Sequence, residues 1–204
     1  GEFGKAASWA GVGILPPPLV DAQHDALEQL RAHAHRLHVD WSAELQRTTG
    51  IDNELVRCGG IYFARSAGEL ASLHSTMGES IEFGVDVAKL TPEQLAELEP
   101  ELAGFVNQVS TAYFLPDEMQ VRSPRHLKAL IAGCRQLGVA MYAEHDVQSI
   151  RMDSGRVTQV VAGGKGFSAE QYVVCGGAWS PGLAQDVEIV LPVEPWRGQL
   201  ILWE

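Results

Sequence analysis

Tyr172-Val173-Val174-Cys175-Gly176-Gly177-Ala178-Trp179-Ser180 is the stretch on which the reading of the fold turns. Four residues with strand character run into two glycines, and a helix-compatible segment follows directly. A continuously apolar run of this kind belongs to a strand buried on both faces, the habit of parallel sheets. The glycine turn at its end is the place where, in doubly wound sheets, a dinucleotide lies against a helix start. The spacing predicts a strand over residues 171–175 in a mainly parallel sheet, with Cys175 buried, and a short helix over 179–185.

A second small-residue run lies near the other end. Ser8-Trp9-Ala10-Gly11-Val12-Gly13-Ile14-Leu15 is too rich in glycine for a stable helix, and its backbone amides are free to approach a flat or anionic ligand. Either run alone reads as an ordinary turn; the two together favour a ligand-lining role.

Helix and strand patterns alternate between them. Over residues 21–49, Leu27, Leu30, Ala34, Leu37, Trp41 and Leu45 recur at helical spacing, with Pro16-Pro17-Pro18 barring a helix before them and Gly50 ending it. Residues 55–64 read as a strand in which Gly59-Gly60 marks a bulge or the close approach of something bulky. Further helices are predicted over 66–80, from Thr91-Pro92-Glu93-Gln94 with its capping-box spacing, and from Ser123-Pro124 through Leu137, closed by Gly138. Strands are predicted over 109–115, 139–143, 147–152, 157–161, 189–193 and 199–203, with Asp153-Ser154-Gly155 as a turn. Residues 58–64 and 109–115 show half-buried alternation and are expected to be neighbours in one antiparallel sheet, distinct from the sheet of 173–175. The interleaving is that of an α/β or α+β protein.

Composition narrows the partners. The 204 residues are 46% hydrophobic and 20% charged, which suits one large domain or two small ones. Fifteen Lys and Arg against 26 Asp and Glu leave a net charge of −11 with no basic stripe, so no nucleic-acid partner is expected. The longest apolar runs, 189–193 and 200–203, fall far short of the roughly 20 residues of a membrane helix, and no membrane span is expected. Cys58, Cys134 and Cys175 stand too far apart for a zinc motif or a disulfide framework and fit a reducing, cytoplasmic setting.

Several familiar chemistries find no support. There is no Gly-x-Ser-x-Gly, and Gly163-Gly164-Lys165-Gly166 is followed by Phe167 rather than a hydroxyl residue, so it reads as a hairpin turn and not a phosphate loop. Of the four histidines at His24, His33, His35 and His38, only His35 and His38 share a face, and no carboxylate completes a ligand set; a solvated helix face is expected, and no metal. Glu97, Glu99, Asp117 and Glu118 are expected to be solvated charges.

The order of motifs along nearly the whole chain resembles the flavin-dependent D-amino-acid oxidase superfamily, most closely its glycine oxidase or sarcosine oxidase-like branch. The residues that carry the resemblance are Ala7 to Ala10 with Gly13-Ile14-Leu15, Cys58-Gly59-Gly60-Ile61, and Leu95 to Pro100. It continues through Pro116-Asp117-Glu118-Met119-Gln120-Val121 with Pro124, Val173 to Ser180, Leu191-Pro192-Val193 and Arg197-Gly198-Gln199. The resemblance implies an incomplete Rossmann-like FAD-binding domain, residues 4–50 and 123–190, with an antiparallel substrate-domain sheet from 51–122 and 191–204. It implies FAD contacts at Ser8, Val12, Gly13 and Ile14, at Val147 beside the adenine edge, and at Gly176, Gly177 and Trp179 along the dinucleotide. It further implies oxidation of the C–N bond of a small amine or amino acid, with hydride passing to the flavin and water hydrolysing the imine. No catalytic residue is assigned.

The family's Gly-x-Gly-x-x-Gly strand turn would precede Gly4, and its final third, with the arginine that grips the substrate carboxylate, would follow Glu204. Gly1-Glu2-Phe3 also reads as an engineered scar. The chain is therefore expected to be the middle of an enzyme, to bind FAD weakly or not at all by itself, and to self-associate as a dimer or larger homo-oligomer through exposed Trp9, Trp196 and Trp203. The rival reading is a non-catalytic globular piece that binds no flavin.

Overall fold

A computed structural model describes residues 3–19 and 25–199. The chain divides into two units, one of Ala6–Val139 and one of Gly1–Lys5 with Ala140–Glu204.

In the Ala6–Val139 unit, the two-residue strand β1 (Ile14–Leu15) precedes the long helix α1 (Ala26–Thr49). The Asp25 side chain accepts from the backbone N–H groups of Leu27 and Glu28 at the start of α1, and Gly50, left-handed at φ 71, ends it. The stretch 21–24, with His24, lies outside the described residues. Next come β2 (Gly60–Ala64) and α2 (Ala67–Glu82), the latter opened by a Ser66–Glu69 capping box. After β3 (Ala88–Leu90), the predicted Thr91–Gln94 box and Pro92 start α3 (Pro92–Leu98). β4 (Thr111–Leu115), β5 (Met119–Gln120) and α4 (Ser123–Gln136) complete the unit.

β4 is the middle strand of an antiparallel sheet of order β2–β4–β3, with Phe114 opposite Ile61 on one side and Ala88 on the other. The two segments expected to be neighbours are paired. Met77 of α2, Val85 and Leu115 form the buried cluster over this sheet, ringed by Leu73, Tyr62 and Val87. Burial contributes roughly 1.5–3 kcal/mol for each fully enclosed side chain of this size. The glycine pair before β2 marks a close approach: a Cβ on Gly59 would stand 2.3 Å from the Phe114 ring. α1 packs on α4, where a Cβ on Gly133 would lie 3.2 Å from Leu45 Cδ2, so the small residue sets how near the helices come.

In the second unit, β6 (Val147–Asp153), β7 (Arg156–Ala162) and β8 (Lys165–Phe167) form an antiparallel meander. Both of its turns are two residues long with positive φ throughout, Ser154-Gly155 at 51 and 77 and Gly163-Gly164 at 56 and 75. The phosphate-loop look-alike is thus a hairpin turn. A short α5 (Ser180–Ala184) follows, flanked by 3-10 turns, and Asp186 Oδ2 accepts from the Ile150 N–H at 2.7 Å to fasten it to β6.

Three expected strands do not form. Residues 139–143, 171–175 and 189–193 carry no ladder pairing, and the last expected strand lies, apart from Gln199, outside the described residues. Val173 is 83% exposed and Cys175 is exposed rather than buried. The physical reason is that strand propensity measures fit to a neighbouring strand, and among the described residues every strand pair is antiparallel and none lies beside Val173–Val174.

Candidate functional site

Ala6 to Ala10 form a turn closed by Trp9 N–H to Ala6 C=O at 3.0 Å and Ala10 N–H to Ala7 C=O at 3.1 Å, and Gly11 to Gly13 lead from it into β1. β1 then pairs antiparallel with β5, Ile14 opposite Gln120, and the Val121 N–H donates to Gly13 C=O at 2.9 Å. Gly13 sits at φ +80, and a Cβ there would lie 1.8 Å from the Val121 carbonyl oxygen. The glycine is thus demanded by the chain's own neighbouring backbone. On the open side Val12 and Ile14 are exposed apolar side chains, and Ser8 is exposed beside them.

The proline run, α1, α2 and β2 line a cavity of about 570 Å³, to which Leu15, Met77, Leu115, Tyr62, His35 and His38 contribute. Glu28 and Arg31 pair at its rim. The Tyr62 hydroxyl donates to Glu118 Oε2, and Glu118 is buried. This corrects the expectation of a solvated Glu118: its side chain folds under Gly60, where a Cβ would stand 2.1 Å from Oε1. Burial first, then the Glu118 bond, pushes the Tyr62 phenol up from its ordinary range.

The histidine face of α1 is also not solvated. His33 is exposed, but His35 and His38 are half-buried: both line the cavity, and α4 sets the His126 ring 5.2 Å from the His38 ring. Desolvation holds His35, His38 and His126 below the ordinary histidine value, and neighbouring positive charge adds to this at His35 and His126. Among the described residues no group of three His, Cys, Asp or Glu side chains is placed to hold a metal. Sequence reading missed Tyr62, Asn53 and His126; only a tertiary contact brings them to α1.

In the other unit, Val147 opens β6 opposite Ala162. The Trp179 N–H donates to Gly176 C=O at 3.0 Å, Gly177 is left-handed at φ 53, and Trp179 is exposed. Nothing stands within 4 Å of a Cβ built on Gly177. The Gly177 turn thus has open space where a flat, phosphate-bearing ligand could approach, whereas Gly13 is closed in by the Val121 carbonyl and its turn offers a ligand the exposed Val12 and Ile14 side chains. Ser8, Val12, Gly13 and Ile14 lie in one unit, and Val147, Gly176, Gly177 and Trp179 in the other.

The family model described as FAD dependent oxidoreductase, DAO, matches residues 1–204. The chain belongs to that family. Glycine oxidase of Geobacillus kaustophilus is 31% identical over 204 residues, 99% of this chain and 53% of the relative. D-amino acid dehydrogenase of Chromohalobacter salexigens is 34% identical over 155 residues, 76% of this chain and 37% of that protein. The crystal structure of glycine oxidase from Geobacillus kaustophilus superposes with a TM-score of 0.83 at 30% identity, covering 96% of this chain and 52% of that one. That of glycine oxidase from Bacillus cereus gives 0.76 at 25% identity, over 89% and 48%.

The mixed helix and antiparallel-sheet architecture is thus that of the FAD-dependent oxidoreductases of this family. The chain spans about half the length of the curated glycine oxidases it matches. Among the described residues no helix is long and apolar enough to cross a membrane.

Proposed function

We propose that the chain is the central part of a flavin-dependent oxidoreductase that oxidises the C–N bond of a small amine or amino acid of the glycine, D-amino acid or sarcosine type. The observation that carries this reading is the family match along all 204 residues. Residues 4–50 and 123–190 would serve the cofactor, and 51–122 with 191–204 the substrate side. Ser8, Val12, Gly13 and Ile14 line the flavin, with Ile14 offering an apolar surface held in register by β5. Val147 borders the adenine, and Gly176, Gly177 and Trp179 the dinucleotide backbone. The chemistry a bound flavin supplies is acceptance of hydride from the carbon bearing the amine. This chain's residues bind and orient: β1 presents Ile14 at a fixed height, and the sheet of β2, β4 and β3 stiffens the substrate side. The three cysteines are free, in keeping with a cytoplasmic protein.

Weak FAD binding by this chain alone is the second reading, favoured by one observation: the run before Gly176 is exposed and unpaired, so no sheet stiffens that turn. The test is Ile14→Arg in the complete protein that carries this chain. Ile14 is 52% exposed, so the fold should tolerate the change by circular dichroism while flavin content after gel filtration falls severalfold. Unchanged flavin content would contradict the assignment of this turn.

A further inference from the structure

Asn53, 2% exposed, lies where α1, α4 and the segment 51–56 meet. The Ser42 hydroxyl gives its one hydrogen to the His38 C=O at 2.7 Å, because a carbonyl can only accept. Ser42 Oγ must then accept from Asn53 Nδ2 at 2.9 Å, which fixes the orientation of the amide. The other Nδ2 hydrogen points at His126 Nδ1, also at 2.9 Å. His126 Nδ1 is therefore a lone pair, and the ring is neutral with its hydrogen on Nε2. A proton added at Nδ1 would set N–H against N–H in a buried site.

Among the described residues, no acceptor is placed to take that proton. From α1, His38 faces the His126 ring, and His38 Nδ1 and His35 Nε2 are themselves buried without partners. From segment 51–56, Asp52 Oδ1 accepts from the Glu54 N–H, and the Glu54 carboxylate is held by Arg122 and Arg125. Arg122 and Arg125, on α4's own side, are engaged with that carboxylate. Asn53 also ties the segment down by its backbone, accepting from the Arg122 N–H at 3.0 Å. Three residues on, Val56 exchanges both backbone bonds with Gln120, at 2.9 and 2.8 Å, and Gln120 is the residue opposite Ile14.

We propose that the Ser42–Asn53–His126 chain is a proton-sensitive latch. With His126 neutral it clamps segment 51–56 between α1 and α4; proton uptake at His126 turns Asn53 away, frees the segment and, through Val56 and Gln120, loosens the strand at Gly13–Ile14. The latch stands on these contacts whether or not the chain holds a flavin. Uptake of one proton by one imidazole is the whole chemical change.

Histidine-labelled NMR with amide exchange tests it on the wild-type chain. At neutral pH His126 should show the Nε2–H tautomer and should titrate below the ordinary histidine range. Between pH 7 and pH 5, exchange at the Val56, Gln120 and Val121 amides should accelerate about tenfold beyond its intrinsic pH dependence. In Asn53→Asp, a carboxylate accepts from His126, so the His126 midpoint should rise and the acceleration should vanish. An Nδ1–H tautomer, exchange at those amides that ignores His126 titration, or an unmoved midpoint in Asn53→Asp would overturn the proposal. Should that variant fail to fold, the wild-type tautomer and exchange data decide it.

Discussion

The Tyr62 hydroxyl reaches Glu118 Oε2 across 2.5 Å, joining β2 to the turn ahead of β5 through a carboxylate that the fold buries. The same carboxylate lies under Gly60, and the Glu118 C=O accepts from the Gly59 N–H at 3.0 Å. One residue thus ties the start of β2 to the turn between β4 and β5. Tyr62→Phe should cost about 1–3 kcal/mol in urea denaturation, the price of leaving a buried acceptor short of a partner. Loss of nothing measurable would mean that water replaces the hydroxyl.

Gly13→Ala should destabilise more than its size implies. The left-handed backbone alone costs an alanine about 1–3 kcal/mol, and the obstacle is a carbonyl of β5's neighbour rather than a side chain that could swing aside. Faster amide exchange at Val121, whose N–H donates to Gly13, would locate the damage. Gly50→Ala makes the useful comparison: it shares the positive φ but has nothing within 4 Å, so it should show the backbone cost alone.

Acid should weaken the Ala6–Val139 unit as pH falls through the histidine range. His35, His38 and His126 are all held below the ordinary histidine pKa by burial, so as pH falls the unfolded chain takes up protons first, near pH 6.5. Their stabilisation is fully present above that pH and is lost as pH falls toward their lower folded values. Urea midpoints at pH 7.5 and 5.5 check the sign; a midpoint that rises on acidification would contradict it.

Self-association should follow from apolar surface that the chain leaves open. Trp196 is 91% exposed, Val190 92% and Trp179 70%, while Trp9 is partly open and Trp203 lies outside the described residues. Light scattering should report a dimer or larger species, shifted toward monomer by Trp196→Ser. A 22.1 kDa particle at every concentration would count against it.

Local rules carried the sequence reading where the determinants were local. Thr91, Pro92 and Gln94 start α3, Gly50 stops α1, and Gly163-Gly164 makes a hairpin, each by chemistry contained within a few residues. Residues 171–175 failed because an apolar run becomes a strand only beside a partner strand, and none is described there. Glu118 was misread because nothing in Pro116-Asp117-Glu118 announces that Tyr62, 56 positions away, will hold it. His38 was misread for the same reason, since the helix that brings His126 against it begins at Ser123. The family motifs were legible as an ordered set, but the buried Asn53 network left no pattern in the sequence at all.

The proposed oxidation of small amines through a flavin is open to a direct spectroscopic check. Anaerobic addition of glycine, sarcosine and D-alanine to the complete protein, followed in the visible flavin band, tests it most directly. The protein should be yellow, and its band should bleach with at least one of the three and return when an electron acceptor is admitted. A colourless protein, or a flavin band that no small amine reduces, would contradict it.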